Sequence, residues 1–282
     1  MIKRFEIRLP EQFYNSYPIQ RGVLSRETFF ITEYVTRYLR TSSVKNAEVQ
    51  GKKVGELITL INSKENNIEF YPKNIICQLS DNYEDTRVLR GITRTESFLR
   101  IIEHSTELYE SLVQGLGNEI QKAVNNFRKD KYKNIWIYKK KLLKGIGTAK
   151  LECELEALKF NLFFVVDNTQ KQEIYRKRIL QAFPDSADYH SLFKDLKLTE
   201  GRISITNRIF EEPIFSITTD QITQNEAGTF YPFQTYEVDE STKELVSNIK
   251  LHPRKTKWWD HFIICFHEES TDACPIEQKI EI

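Results

Sequence analysis

The chain has 282 residues, 40% of them hydrophobic and 29% charged, enough to bury a sizeable core in one large domain or two small ones. Charges interrupt every long apolar run, which excludes a transmembrane helix, and the N-terminal MIKRFEIRLPEQF lacks the apolar stretch of a secretory signal. Lys and Arg number 41 against 40 Asp and Glu, a formal charge of +1, so any surface for a polyanion has to be local.

Residues 1–91 read as a small α/β lobe. Arg4 to Leu9 alternates like a strand, with Phe5, Ile7 and Leu9 on one face. Ser25 is placed to cap a helix running through Arg40. The spacing over Val54–Ile61 predicts a second, short helix, and Asn67–Leu79 predicts a pair of strands.

Residues 92–147 carry the clearest periodicity. Phe98, Ile101, Ile102, Leu108, Tyr109, Leu112, Val113, Leu116, Ile120, Val124 and Phe127 recur at steps of three and four, one stripe on a helix. Thr93 and Glu96 have the spacing of a capping box. The stretch therefore predicts one long helix or two collinear ones, with Gly115 and Gly117 marking a kink or hinge. Asn134–Leu143 is read as a short helix closed by Gly145 and Gly147.

Residues 148–282 read as a second α/β lobe. Leu151, Cys153 and Leu155 alternate with Glu152, Glu154 and Glu156, after which the apolar phase moves by one residue. That shift predicts a bulge or turn near Ala157. Amphipathic helices are expected around Gln170–Phe183 and Ser186–Leu196. Strands are expected at Arg202–Ile209, Pro213–Thr218, Thr229–Val238 and His261–His267, with a helix at Ser241–Ile249. The fold class expected is α+β, two mixed α/β lobes joined by a long central helical segment.

Chemistry-bearing residues are sparse. Only ten glycines are present, and neither a dinucleotide-binding glycine fingerprint nor a P-loop occurs. Cys77, Cys153, Cys265 and Cys274 form no CxxC pair, which fits a cytoplasmic chain better than a disulfide scaffold. His261, Cys265 and His267 share one face of a strand, but their spacing suits no zinc site, and no metal or cofactor is expected of them. Arg100 and His104 share a helix face without matching a known signature.

The strongest local signal is Lys122 to Lys144. It holds nine basic residues and one acid, Asp130, with Phe127, Tyr132, Trp136 and Tyr138 among them. Phosphates attract such residues, and flat rings stack on unpaired bases. Tyr175–Arg178 and the run containing Arg254, Lys255 and Lys257 repeat the pattern. The chain is therefore expected to bind nucleic acid, RNA or DNA, within a larger nucleoprotein assembly and away from membranes. Its candidate contacts are Lys129, Lys131, Lys133, Trp136, Tyr138, Lys139, Lys140, Lys141, Arg254, Lys255 and Lys257. One alternative is a nuclease in which Glu152, Glu154 and Glu156 hold a divalent metal. Another is a non-catalytic subunit that docks protein partners through the long helix.

Overall fold

The computed structural model describes residues 1–10, 18–82, 88–157, 159–182, 192–208 and 213–231, with the single residues 85 and 184. These residues form two compact units. The first is Met1–Asn134 with Glu156 and Ala157, and the second takes Ile135–Leu155 and the described residues from Lys159 onward.

In the first unit β1 (Arg4–Arg8) leads into α1 (Pro18–Thr41). A two-residue ribbon, β2 (Glu48–Val49) and β3 (Lys52–Lys53), precedes β4 (Glu56–Leu60). A hairpin of β5 (Asn67–Tyr71) and β6 (Asn74–Gln78) completes the sheet, whose order is β1-β4-β6-β5. The first three strands of that order are parallel, as a helical crossover between β1 and β4 requires. The helix expected at Val54–Ile61 is thus a strand. Leu57 and Ile58 are both buried although they face opposite sides, because β4 is covered on both faces.

The long helical segment is two helices, α2 (Gly91–Leu112) and α3 (Leu116–Lys129). They are not collinear. Arg128 near the end of α3 bonds both Glu96 and Glu103 of α2, and Gln121 bonds Glu103 at 2.7 Å, so the chain doubles back as a hairpin. Gly115 takes the left-handed conformation, φ 83°, that the reversal needs. A Cβ on Gly117 would lie 2.2 Å from the Thr106 carbonyl oxygen, so the helices meet backbone to backbone there. The capping box does not form: α2 starts at Gly91 after Arg90, with no side-chain cap, and Glu96 is engaged by Arg128. Most of the apolar stripe is buried inside this unit, with Leu108, Leu112 and Val113 half-buried near the turn. Tyr109 packs on Phe5 and hydrogen-bonds Thr59 at 3.1 Å, while Phe127 sits among Phe30, Tyr34 and Tyr132.

The second unit is almost entirely β. The sheet β10-β9-β8-β7 is formed by β7 (Asn134–Leu143), β8 (Gly147–Leu155), β9 (Phe160–Asn168) and β10 (Glu173–Ala182). Asn134 itself belongs to the first unit, where its side-chain amide donates to the Phe30 carbonyl at 2.6 Å. Where helices are expected at Asn134–Leu143 and Gln170–Phe183, the structure has the strands β7 and β10, and Phe183 lies outside the described residues. The phase change near Ala157 is the turn between β8 and β9.

A second antiparallel sheet follows, of β11 (Asp195–Thr199), β12 (Arg202–Thr206), β13 (Pro213–Thr218) and β14 (Thr229–Phe230). Between β13 and β14 lies the one-turn helix α4 (Thr219–Thr223), whose N-cap Thr218 forms a capping box with Gln221. β11 covers the end of the helix expected at Ser186–Leu196, and residues 186–191 lie outside the described residues. The two sheets pack through Phe160 against Phe193 and Phe164 against Phe215, each at 5.8 Å. The chain thus has both helices and strands, with the helices concentrated in one unit. No helix among the described residues is long and apolar enough to cross a membrane.

Candidate functional site

The basic stretch from Lys122 to Lys144 separates into engaged and open residues. Arg128 is held by Glu96 at 2.9 Å and Glu103 at 2.5 Å, and Tyr132 donates to Glu96 at 2.8 Å. Hydrogen bonds from Arg128 hold the carboxyls of Glu96 and Glu103 below the usual carboxylate range, against the opposing effect of burial. Lys122 pairs with Glu119 one turn away, at 2.8 Å. These contacts serve the helical hairpin. Lys129, Lys131 and Lys133 remain exposed at the end of the first unit. Lys129 complements the negative end of the α3 dipole, which by itself explains a lysine there.

The other candidates lie on β7, an edge strand of its sheet. Its first half alternates: Ile135 and Ile137 are exposed, while Trp136 and Tyr138 are half-buried. Trp136 packs on Phe160 at 6.1 Å. The Tyr138 ring meets Phe193 edge-on at 4.8 Å, and its hydroxyl accepts from Arg208 at 2.8 Å. Both rings are thus in contact with the core of the second unit. Alternation then stops. Lys139, Lys140, Lys141 and Leu142 are all exposed, so both faces of the strand are open to solvent here. Leu143 is buried and anchors the strand. Lys144 and Gly145 lead through the turn into β8.

The turn depends on two glycines. Gly145 has φ 80°, and a Cβ on Gly147 would lie 1.9 Å from the Asp167 carbonyl oxygen. Lys139 pairs with Asp195 at 2.8 Å and holds that carboxyl below its ordinary range. Lys140, Lys141 and Lys144 make no ion pair among the described residues.

The fold adds a neighbour that sequence order does not reveal. Gly147 pairs with Asn168, so the turn between β9 and β10 lies beside the turn between β7 and β8. It brings exposed Lys171, and Ile174 at the start of β10, to the same end of the sheet. The acids nearest in sequence are engaged: Glu173 bonds Arg176 at 3.2 Å and Asp167 bonds Lys150. The juxtaposition exists because Glu173–Ala182 is a strand paired with β9 and not the helix its spacing predicts.

The remaining basic runs divide. In Tyr175–Arg178, Tyr175 is buried. Arg176 lies 4.3 Å over the Phe163 ring and bonds Glu152 at 2.5 Å, and Lys177 lies over Phe230. Arg254, Lys255 and Lys257 lie outside the described residues, as do His252, His261, Cys265, His267 and Cys274.

Glu152 and Glu154 share the half-exposed face of β8, with Glu152 ion-paired to Arg176, and Glu156 is exposed after the strand ends. Among the described residues no group of three His, Cys, Asp or Glu side chains is placed to hold a metal ion. His104 is exposed and sits 2.8 Å from Asp81. Burial first, then the nearby Asp81 charge, pushes the Cys77 thiol up to about 12, which makes it a poor nucleophile. No family model, no curated protein and no solved structure matches the chain.

Proposed function

We propose that the chain binds nucleic acid through its phosphate backbone, at the end of the β7–β10 sheet where Lys140, Lys141, Lys144 and Lys171 are exposed. One observation carries this reading. Four lysines without a described ion pair gather at one end of one sheet, in a chain whose total formal charge is +1. Such a cluster gains from releasing the counterions condensed on a polyanion. Lys139 contributes less because Asp195 already neutralises it. Lys129, Lys131 and Lys133 form a second exposed basic segment. Trp136 and Tyr138 support the strand from its packed side, so the contact reads phosphates and is weakly selective for sequence. Membership of a nucleoprotein assembly is part of the same proposal.

Metal-dependent cleavage at Glu152, Glu154 and Glu156 is left out of it. Glu152 is engaged by Arg176, and no metal-binding group of side chains forms among the described residues. Docking through the long helix is left out because most of the apolar stripe of α2 and α3 is already buried in the first unit.

The test is a fluorescence-anisotropy titration of single- and double-stranded DNA and RNA at several salt concentrations. Log affinity should fall by about 0.7 to 0.9 per neutralised phosphate for each unit of log salt. Changing Lys139, Lys140 and Lys141 together to Ala should flatten the slope by about two such contacts, since Lys139 is paired. Absence of binding at low salt would overturn the proposal, as would a triple variant with unchanged affinity and slope.

A further inference from the structure

We infer that the nucleic acid is duplex DNA and that Leu142 inserts into it as an apolar wedge, an inference that rests on the phosphate-binding reading above. Leu142 is 74% exposed, whereas its neighbour Leu143 is 2% exposed. The pair does two jobs. Leu143 fixes the end of β7 to the core, and Leu142 projects from a strand that is thereby held in place.

Its charged neighbours along the chain are all lysines. Lys140 and Lys141 precede it, and Lys144 follows within two residues, a reach of about 7 Å along a strand. Lys171, on the turn between β9 and β10, and the 37%-exposed Ile174, at the start of β10, stand at the same end of the sheet. An apolar side chain framed by cations is the arrangement with which minor-groove proteins part base steps, the cations holding phosphates on either side while the wedge kinks the duplex by about 20–90°.

Competing forms of nucleic acid fit less well. A single strand is held by exposed aromatic platforms, and Trp136 and Tyr138 are packed against Phe160 and Phe193. A-form RNA offers a shallow minor groove that gives a wedge no purchase, whereas the minor groove of DNA is about 6 Å wide and admits one leucine. An anionic lipid surface would use the same lysines. Its grip, however, grows with the apolar area inserted, and one leucine with a partly exposed isoleucine supplies little.

The full chain would be titrated into a duplex carrying 2-aminopurine at a central pyrimidine–purine step, with dyes at its two ends for energy transfer. Saturating protein should raise 2-aminopurine emission several-fold and shorten the end-to-end distance. Leu142→Ala should return both signals to those of free DNA while keeping the salt slope of binding. Leu142→Met, another wedge-forming side chain, should retain both. Leu142 is exposed, so neither substitution removes a core contact, and circular dichroism melts coinciding with the parent would show that the fold is kept.

Unchanged emission at saturation would overturn the wedge, as would a rise that persists in Leu142→Ala. Anisotropy binding with its salt slope would then still uphold phosphate recognition. Failure to bind any nucleic acid would overturn both. Co-sedimentation with phosphatidylserine vesicles, lost in Leu142→Ala and without DNA binding, would overturn them in favour of a membrane surface.

Discussion

Arg128 bonds Glu96 and Glu103, 32 and 25 residues away in the chain, and so joins the two ends of the helical hairpin. Read in sequence it is one more cation in a basic stretch; in the folded chain it is a staple. Arg128→Met would leave two half-buried carboxylates facing each other without a counterion. We expect a loss of about 1–3 kcal/mol at pH 7, between the values for exposed and buried pairs, measured by urea unfolding. The pH dependence has a definite sign. Both glutamates are held below their unfolded pKa of about 4.3, so they contribute stability above that pH, and it is lost as pH falls through the lower folded values. The variant should therefore lie closer to the parent at pH 3 than at pH 7. A constant gap across that range would show that packing, and not charge, is what Arg128 supplies.

The α2–α3 hairpin and β10 illustrate opposite fates of periodicity. The stripe in α2 and α3 is buried where expected at Ile102, Tyr109, Ile120, Val124 and Phe127. Leu112, at the end of α2 beside the turn, is only half-buried. Ile120→Ala should accordingly cost about 2–5 kcal/mol by leaving a cavity, and Leu112→Ala clearly less, compared by thermal or urea melts. Equal losses would mean that the hairpin turn is packed as tightly as the centre of the bundle.

In β10 the period misleads for a structural reason. Register shifts between Glu173 and Tyr175 and between Arg178 and Leu180 bring Tyr175, Ile179 and Leu180 into the core. Tyr175 and Ile179 stand four apart and Leu180 follows at once, a pattern that imitates a helix because the second bulge brings two consecutive residues into the core. β4 misleads differently: it lies inside a mostly parallel sheet, so Val54, Leu57, Ile58 and Ile61 are buried at helical spacing without a helix.

Across the whole molecule the near-zero net charge conceals an uneven distribution. Arg128, Lys122, Lys139, Lys150 and Arg176 are engaged by acids, while Lys140, Lys141, Lys144 and Lys171 make no ion pair among the described residues. Residues that pair with nothing contribute little to folding. Changing Lys140, Lys141 and Lys144 together to Ala should leave stability within about 0.5 kcal/mol per site of the parent while weakening nucleic-acid binding. A matching loss of stability in denaturant titrations would show that these lysines are structural.

What the sequence determined alone is what short-range periodicity encodes. The strand at Arg4–Arg8, the strand character from residue 150 to Leu155, the turn near Ala157, the helical character of residues 93–129 and the location of the longest lysine run all follow from local spacing. Tertiary structure decided the rest. Whether Gly115 kinks a rod or reverses it depends on Arg128 finding Glu96 and Glu103, partners that no local window contains. Whether Trp136 faces a ligand or the core depends on Phe160. Lys171 joins Lys144 only because Gly147 pairs with Asn168. Each is a contact between residues distant in the chain, whose energy depends on burial and charge pairing that exist only once the sheets and helices have met.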